Sequence, residues 1–167
     1  MFDYPLLVMF PLVMAFAGAM DMLTMTIPNR LSLLLIGGFL IAAPLAGLGW
    51  HGFAMHLAAG LVVLLIGFGL FAAGWIGGGD IKILASSSLW LGFDFLLPYV
   101  ILVAILGGLL AIGMLAARFF APEGSLRVPA WLLRLQAPET GIPYGLAIAA
   151  AALWLYPMSD LYRGLAF

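Results

Sequence analysis

The chain of 167 residues is 66% apolar and 8% charged, with a mean hydropathy of +1.23, whereas water-soluble domains carry about 25% charged and about 45–50% apolar residues. So few polar side chains cannot cover a soluble surface, and the solvent of this chain is lipid. A net charge of −1 excludes the basic field of a nucleic-acid binder, and the absence of cysteine excludes disulfides, thiolate zinc sites and a cysteine nucleophile.

The first apolar stretch runs from Pro5 to Leu23. Its Ala17-Gly18-Ala19 loosely resembles a signal-peptide cleavage site, but the first charge is Asp3 and no basic residue precedes Arg30, so it reads as a retained membrane helix. A polar break, Thr24–Arg30 with Pro28 and Asn29, separates it from a second span, Leu31 to Trp50. The third, Phe53 to Ile76, closes on Gly77-Gly78-Gly79. Ile81 to Pro98 is less apolar, with three serines and Asp94, yet is about long enough to cross a bilayer, which takes ~20 residues. Tyr99 to Phe119 is the fifth span, and Ile142 to Tyr156 a short sixth. The expected fold is therefore an all-α polytopic membrane bundle of about six helices, forming a single integral-membrane domain over 1–167 with its longest loop at about 120–141. Within that loop Pro129-Ala-Trp-Leu-Leu-Arg-Leu reads equally as a short interfacial helix or as plain connection. No internal repeat is evident.

Basic residues orient the bundle. Arg30 follows span one, Lys82 span three, and Arg118, Arg127 and Arg134 span five, so with six crossings all five share the cytoplasmic side and Arg163 alone lies opposite. Both termini are then expected outside. Dropping the fourth span would move Arg118, Arg127 and Arg134 outward, so the sorting itself supports six crossings.

Ionisable residues in membrane spans usually mark function or a specific partner. Asp21 ends span one and Asp80 begins span four, each after an odd number of crossings, so topology puts both at one membrane face and similar depth. Asp94, about four turns further on, is expected near the outer face and structural. Two adjacent carboxylates cannot readily both ionise, so such a pair shares a proton. One member can then act as general base on a water while the other polarises a carbonyl and protonates the leaving amine. The carboxylates alone fit equally a pair of helix caps or arginine partners. The run Gly77-Gly78-Gly79 before Asp80 shifts that balance, because each glycine costs about 1 kcal/mol in a helix interior. It is expected to unwind and admit another chain beside the carboxylate; the competing reading is a hinge, or helix packing through Gly74-x-x-x-Gly78.

Three separated blocks resemble the GxGD aspartyl proteases and, within them, the type IV prepilin peptidases. They are Asp21 with Ile27-Pro28-Asn29, Gly77-x-Gly79-Asp80-x-Lys82, and Ile142-Pro143-Tyr144-Gly145 with Ala147-Ile148-Ala149. A lone GxGD would be weak, but three blocks in order over nearly the whole chain are specific. The resemblance implies a cofactor-independent, metal-independent aspartic endopeptidase that removes the short basic leader from prepilin-like membrane precursors at the cytoplasmic face. By that resemblance Asp21 and Asp80 are catalytic, and Asn29, Gly77, Gly78, Gly79, Lys82, Pro143, Tyr144 and Gly145 bind substrate or support the site. Larger members carry a four-cysteine N-terminal region and also N-methylate the new pilin terminus. With no cysteine and nothing before span one, this chain is expected to be a peptidase-only form, similar to those serving tight-adherence pili or archaeal preflagellins. The spacer 22–26 lacks the basic residues often found there.

His51 and His56 are five apart, the wrong spacing for a helical metal site. Ser86-Ser87-Ser88 has no basic partner and is expected to form interhelical hydrogen bonds. The rival functions are a small proton- or cation-coupled transporter component using the same aspartates, and a scaffold without chemistry.

Overall fold

The computed structural model describes residues 3–120 and 141–166. Those residues form an all-α bundle: α1 (Asp3–Thr24), α2 (Asn29–Leu45), α3 (Trp50–Ala72), α4 (Gly78–Phe120), α5 (Tyr144–Leu155), a 3₁₀ turn (Tyr156–Met158) and α6 (Asp160–Ala166). Three stretches are long and apolar enough to cross a membrane, Pro5–Thr24, Trp50–Ala72 and Gly78–Phe119, while Asn29–Leu45 and Tyr144–Met158 are shorter apolar helices. The expected loop at about 120–141 and its interfacial segment lie almost wholly outside the described residues.

The fourth and fifth expected spans are two arms of one element, and they part at Gly92 rather than between Pro98 and Tyr99. Gly92 has φ 75° and ψ 179°, the one non-helical residue inside α4, in a region essentially confined to glycine. Ser87 and Tyr99 prove the reversal. Their hydroxyls hydrogen-bond at 2.7 Å, whereas twelve residues of straight helix span about 18 Å. Pro98, the expected end of the fourth span, sits instead inside the second arm. The first arm, 78–91, rises only about 21 Å, less than the ~30 Å of a bilayer core. Asp94 is exposed at the turn, away from the site described below.

A break in a helix leaves carbonyls without their usual partners, and here a histidine supplies one. His56 is buried, and its Nδ1 lies 2.7 Å from the Leu89 carbonyl oxygen, which in a continuous helix would accept from Phe93. Because a carbonyl only accepts, Nδ1 carries the proton. A Cβ at position 92 would stand 2.7 Å from His56 Nε2. Gly92→Ala is therefore expected to destabilise the protein through both the backbone, worth about 1–3 kcal/mol, and the displaced ring. A lowered thermal unfolding midpoint in detergent checks this.

The three serines Ser86, Ser87 and Ser88 bond mostly within the first arm, and one of them makes the expected bond to another helical segment. Ser86, Ser87 and Ser88 all donate back to carbonyls three or four residues earlier; of the three, Ser87 reaches another helical segment, through Tyr99, whose hydroxyl in turn donates to the Ile148 carbonyl of α5. Short polar side chains in apolar surroundings take the nearest acceptor, which is their own helix.

Trp90 anchors the middle of the bundle. It is fully buried, donates from Nε1 to the Leu35 carbonyl of α2 at 2.8 Å, and stacks near Phe10 of α1, with ring centroids 5.1 Å apart. Phe10 also meets Tyr156, 4.4 Å away, whose hydroxyl donates to the Leu7 carbonyl. In α1 and α5, Gly18 faces Ala149, and a Cβ at 18 would come within 2.9 Å of the alanine Cβ. Small residues at such a crossing let two membrane helices approach closely, and this approach brings the N-terminus of α5 to the end of α1.

Candidate active site

Asp21 sits in the last turn of α1 and is only 6% exposed. The helix stops just beyond it: Met25 adopts a left-handed φ of 55° and donates its N–H to the Asp21 carbonyl at 2.8 Å. Thr24 hydrogen-bonds through its hydroxyl to the Met20 carbonyl and to the Thr26 hydroxyl, fastening the turn. The chain then reaches Pro28, which precedes α2 with φ −63° and ψ 135°. Proline presets this extended conformation and its fixed φ suits a helix entrance.

Asp80 lies in the first turn of α4, where unpaired backbone N–H groups favour a negative side chain. Gly78 and Gly79 are already helical, so the triple glycine is not the unwound stretch expected. None of Gly77, Gly78 and Gly79 has a left-handed φ; that conformation falls on Gly74, in the turn after α3. Their smallness serves a different end. A Cβ at Gly77 would stand 3.1 Å from Asp80 Oδ2, and one at Gly79 would stand 3.4 Å from Ile27. Gly78 packs under Phe71, and nothing lies against Gly74 among the described residues, so there the Gly74-x-x-x-Gly78 pair mediates no helix crossing.

Asp21 and Asp80 come to the same end of the bundle, near enough for Asp80 to feel the charge of Asp21. Ile27 joins their surroundings. It touches the Gly79 position on one side and, through its Cδ1, the Gly145 position on the other.

The third block closes the site. Pro143 is fully buried and precedes α5, and the Gly145 N–H in the first turn of α5 donates to Asp21 Oδ2 at 2.7 Å. A Cβ at 145 would stand 2.8 Å from the Cβ and Oδ2 of Asp21 and from Ile27 Cδ1. Each aspartate thus meets the N-terminus of a helix, Asp80 its own and Asp21 that of α5, an arrangement that stabilises negative charge in apolar surroundings. Tyr144 turns its ring toward Gly107 on the second arm of α4. With Asp80 it lines one end of a cavity of about 520 Å³, walled by apolar residues of α3 and both arms of α4, including Val63, Leu70, Val103 and Gly108.

Lys82 and Asn29 meet each other rather than the carboxylates: Lys82 Nζ donates to Asn29 Oδ1 at 3.1 Å in an exposed pair that ties the start of α2 to the start of α4. Of the residues expected at the site, Asp21, Asp80, Gly77, Gly79 and Gly145 converge, Pro143 and Tyr144 flank them, Gly78 packs away under Phe71, and Asn29 and Lys82 lie to one side. Ile27 belongs to the first motif, and its apolar character gives no sign in sequence of its position between the two aspartate-bearing segments. Nothing in the residue type of Met25 signals a left-handed turn, since methionine is not a residue that favours one.

The sequence model of the type IV leader peptidase family matches residues 8–112, more than half of the chain and inclusive of Asp21 and Asp80. Neither a curated protein nor a solved structure gives a significant match.

Proposed function

We propose that this chain, which belongs to the type IV leader peptidase family, is an aspartic endopeptidase that cuts the basic leader from prepilin-like precursors with Asp21 and Asp80 as the catalytic pair. The observation that carries the reading is the convergence of two aspartates 59 positions apart (80 − 21) at one end of a membrane bundle, with Asp21 held by the Gly145 N–H. The pair holds a water between its carboxylates. The ionised member takes a proton from that water as it attacks the scissile carbonyl; the protonated member hydrogen-bonds the carbonyl oxygen and then protonates the departing amine. The two titrate as one system, so base and acid are roles of the pair rather than of a named residue.

Charge supports a site on the cytoplasmic side. Arg30 and Lys82 both stand at the aspartate end, and basic residues gather on the cytoplasmic side, where a basic leader also lies. The whole chain, 1–167, acts as one peptidase domain. The proposal covers cleavage alone.

The test is a purified protein in lipid vesicles given a precursor with a basic leader, a glycine and an apolar helix. Mass spectrometry is expected to show two fragments whose masses sum to the precursor plus one water. An intact precursor at near-stoichiometric enzyme, together with proton or cation flux across the vesicle wall, would replace the peptidase with the transporter reading.

A further inference from the structure

A second groove, on the opposite side of the first arm of α4 from the cavity that reaches Asp80, grades from charged to apolar along its length. Its walls are α2 and α3 and its floor is the stripe Lys82, Ala85, Ser86 and Leu89, enclosing about 520 Å³. Lys82 and Asn29 stand at the mouth, Ser32 and Ser86 one turn deeper, and Leu33, Ile36, Leu61, Leu64 and Leu89 line the remainder. From Lys82 to Leu89 the floor runs about 10 Å. Gly60 sets its depth there: a Cβ on it would come within 2.5 Å of the Leu89 side chain.

Ser32 is the residue that asks for a ligand. It is 7% exposed, lines the groove, and its hydroxyl has no hydrogen-bond partner among the described residues. A buried hydroxyl without a partner costs roughly 1–3 kcal/mol. The usual remedy, donation to the carbonyl four residues earlier, is not taken, and the Pro28 carbonyl accepts instead from the Leu31 N–H. An acceptor brought in from outside would satisfy it.

We propose that this groove is a binding site for one anionic phospholipid, with the phosphate at Lys82, an ester oxygen at Ser32 and an acyl chain along the leucine-lined end. Charge complementarity selects the headgroup. Lys82 donates one of its three N–H groups to Asn29, exposed Arg30 adds a second cation at the same end, α2 begins there without a side-chain cap, and among the described residues no acidic one lines the groove. The depth profile selects a lipid over inorganic phosphate, because the hydroxyls and the apolar walls lie below the cation in the order in which phosphate, ester and acyl chain follow one another. The inference does not rest on the cleavage reading.

The test is native mass spectrometry of the detergent-purified full chain titrated with phosphatidylglycerol or phosphatidylcholine of the same acyl chains. Phosphatidylglycerol is expected to bind as a single adduct about five-fold more tightly, the contribution of one basic residue near a lipid surface, and Lys82→Gln is expected to erase that preference. Leu61→Trp, which fills the groove, is expected to weaken the adduct about tenfold. Leu12→Trp, on an exposed part of α1, is expected to leave it unchanged and controls for general disturbance. Equal binding of the two lipids, or an adduct untouched by Leu61→Trp, overturns the proposal. So does an unchanged adduct accompanied by a raised KM for the precursor, which would give the groove to the substrate helix, while competition by inorganic phosphate alone would make it a simple anion site.

Discussion

Asp21→Asn and Asp80→Asn are each expected to lower leader cleavage by about 10²–10⁴-fold, the range for a positioned acid or base, without unfolding the bundle. The amide is a sharp probe here. Asp21 Oδ2 accepts the Gly145 N–H, and the amide oxygen of asparagine can accept the same bond, so α1 and α5 stay joined while the ionisable group is lost. Asp80 stands in a helical first turn close to Gly77, where asparagine is also accommodated. Groups that act as one unit are non-additive, so the double variant is expected to cleave no more slowly than the slower single one. The measurement is single-turnover cleavage followed by mass, with circular dichroism on the same samples. Two amide variants that both retain wild-type rates would remove the catalytic pair from the mechanism. Variants that simply unfold would show a structural role instead.

Gly145→Val is expected to abolish measurable cleavage, and Gly145→Ala to reduce it about 100-fold, the penalty for a misplacement of about 1 Å at a catalytic group. The Cβ of either residue must occupy a point 2.8 Å from Asp21 Cβ and Oδ2. The Ile27 methyl at the same distance can rotate away, but the aspartate Cβ is fixed to the backbone of α1. Relief therefore comes by separating α5 from α1, which stretches the 2.7 Å bond that positions the carboxylate. Overpacking of this sort costs typically 1–3 kcal/mol, so a lowered unfolding midpoint should accompany the lost rate. A double-mutant cycle discriminates local from global damage. Asp21→Asn should cost little further in the Gly145→Ala background if the glycine acts through Asp21, and its full amount if the alanine harms the fold elsewhere.

The amino-acid sequence by itself determined the environment, the helical class and the two aspartates. Apolar stretches longer than ~17 residues can satisfy their backbone in lipid only as helices or closed barrels, and an aspartate at the end of one such stretch and another at the start of a later one land at the same end by counting passes. Those deductions need only composition and order. The breaks were legible where a residue type forbids helix, as at Pro28, and illegible where the breaker was one glycine among 21. Gly92 is a chain reversal because His56, 36 positions earlier (92 − 56), reaches the Leu89 carbonyl and its ring occupies the space a Cβ would need. Pro98, where the fourth span is expected to end, lies inside an arm. The glycines before Asp80 were visible, but their purpose was not: the sequence suggests conformational freedom, while the fold uses their lack of a side chain, against Ile27 and against Asp80 itself.

Only tertiary structure decided what holds Asp21. The Gly145 N–H comes from 124 positions away (145 − 21), and it arrives because Gly18 and Ala149 let α1 and α5 close upon each other. Tertiary structure likewise set Lys82 on Asn29, apart from the carboxylates, and left Ser32 without a partner among the described residues, in a groove between α2 and α3. Periodicity and residue type act over a few residues, so they reveal which helices form and which groups carry chemistry. Which of those groups meet depends on the close approach of segments remote in the chain, and that is a property of packing.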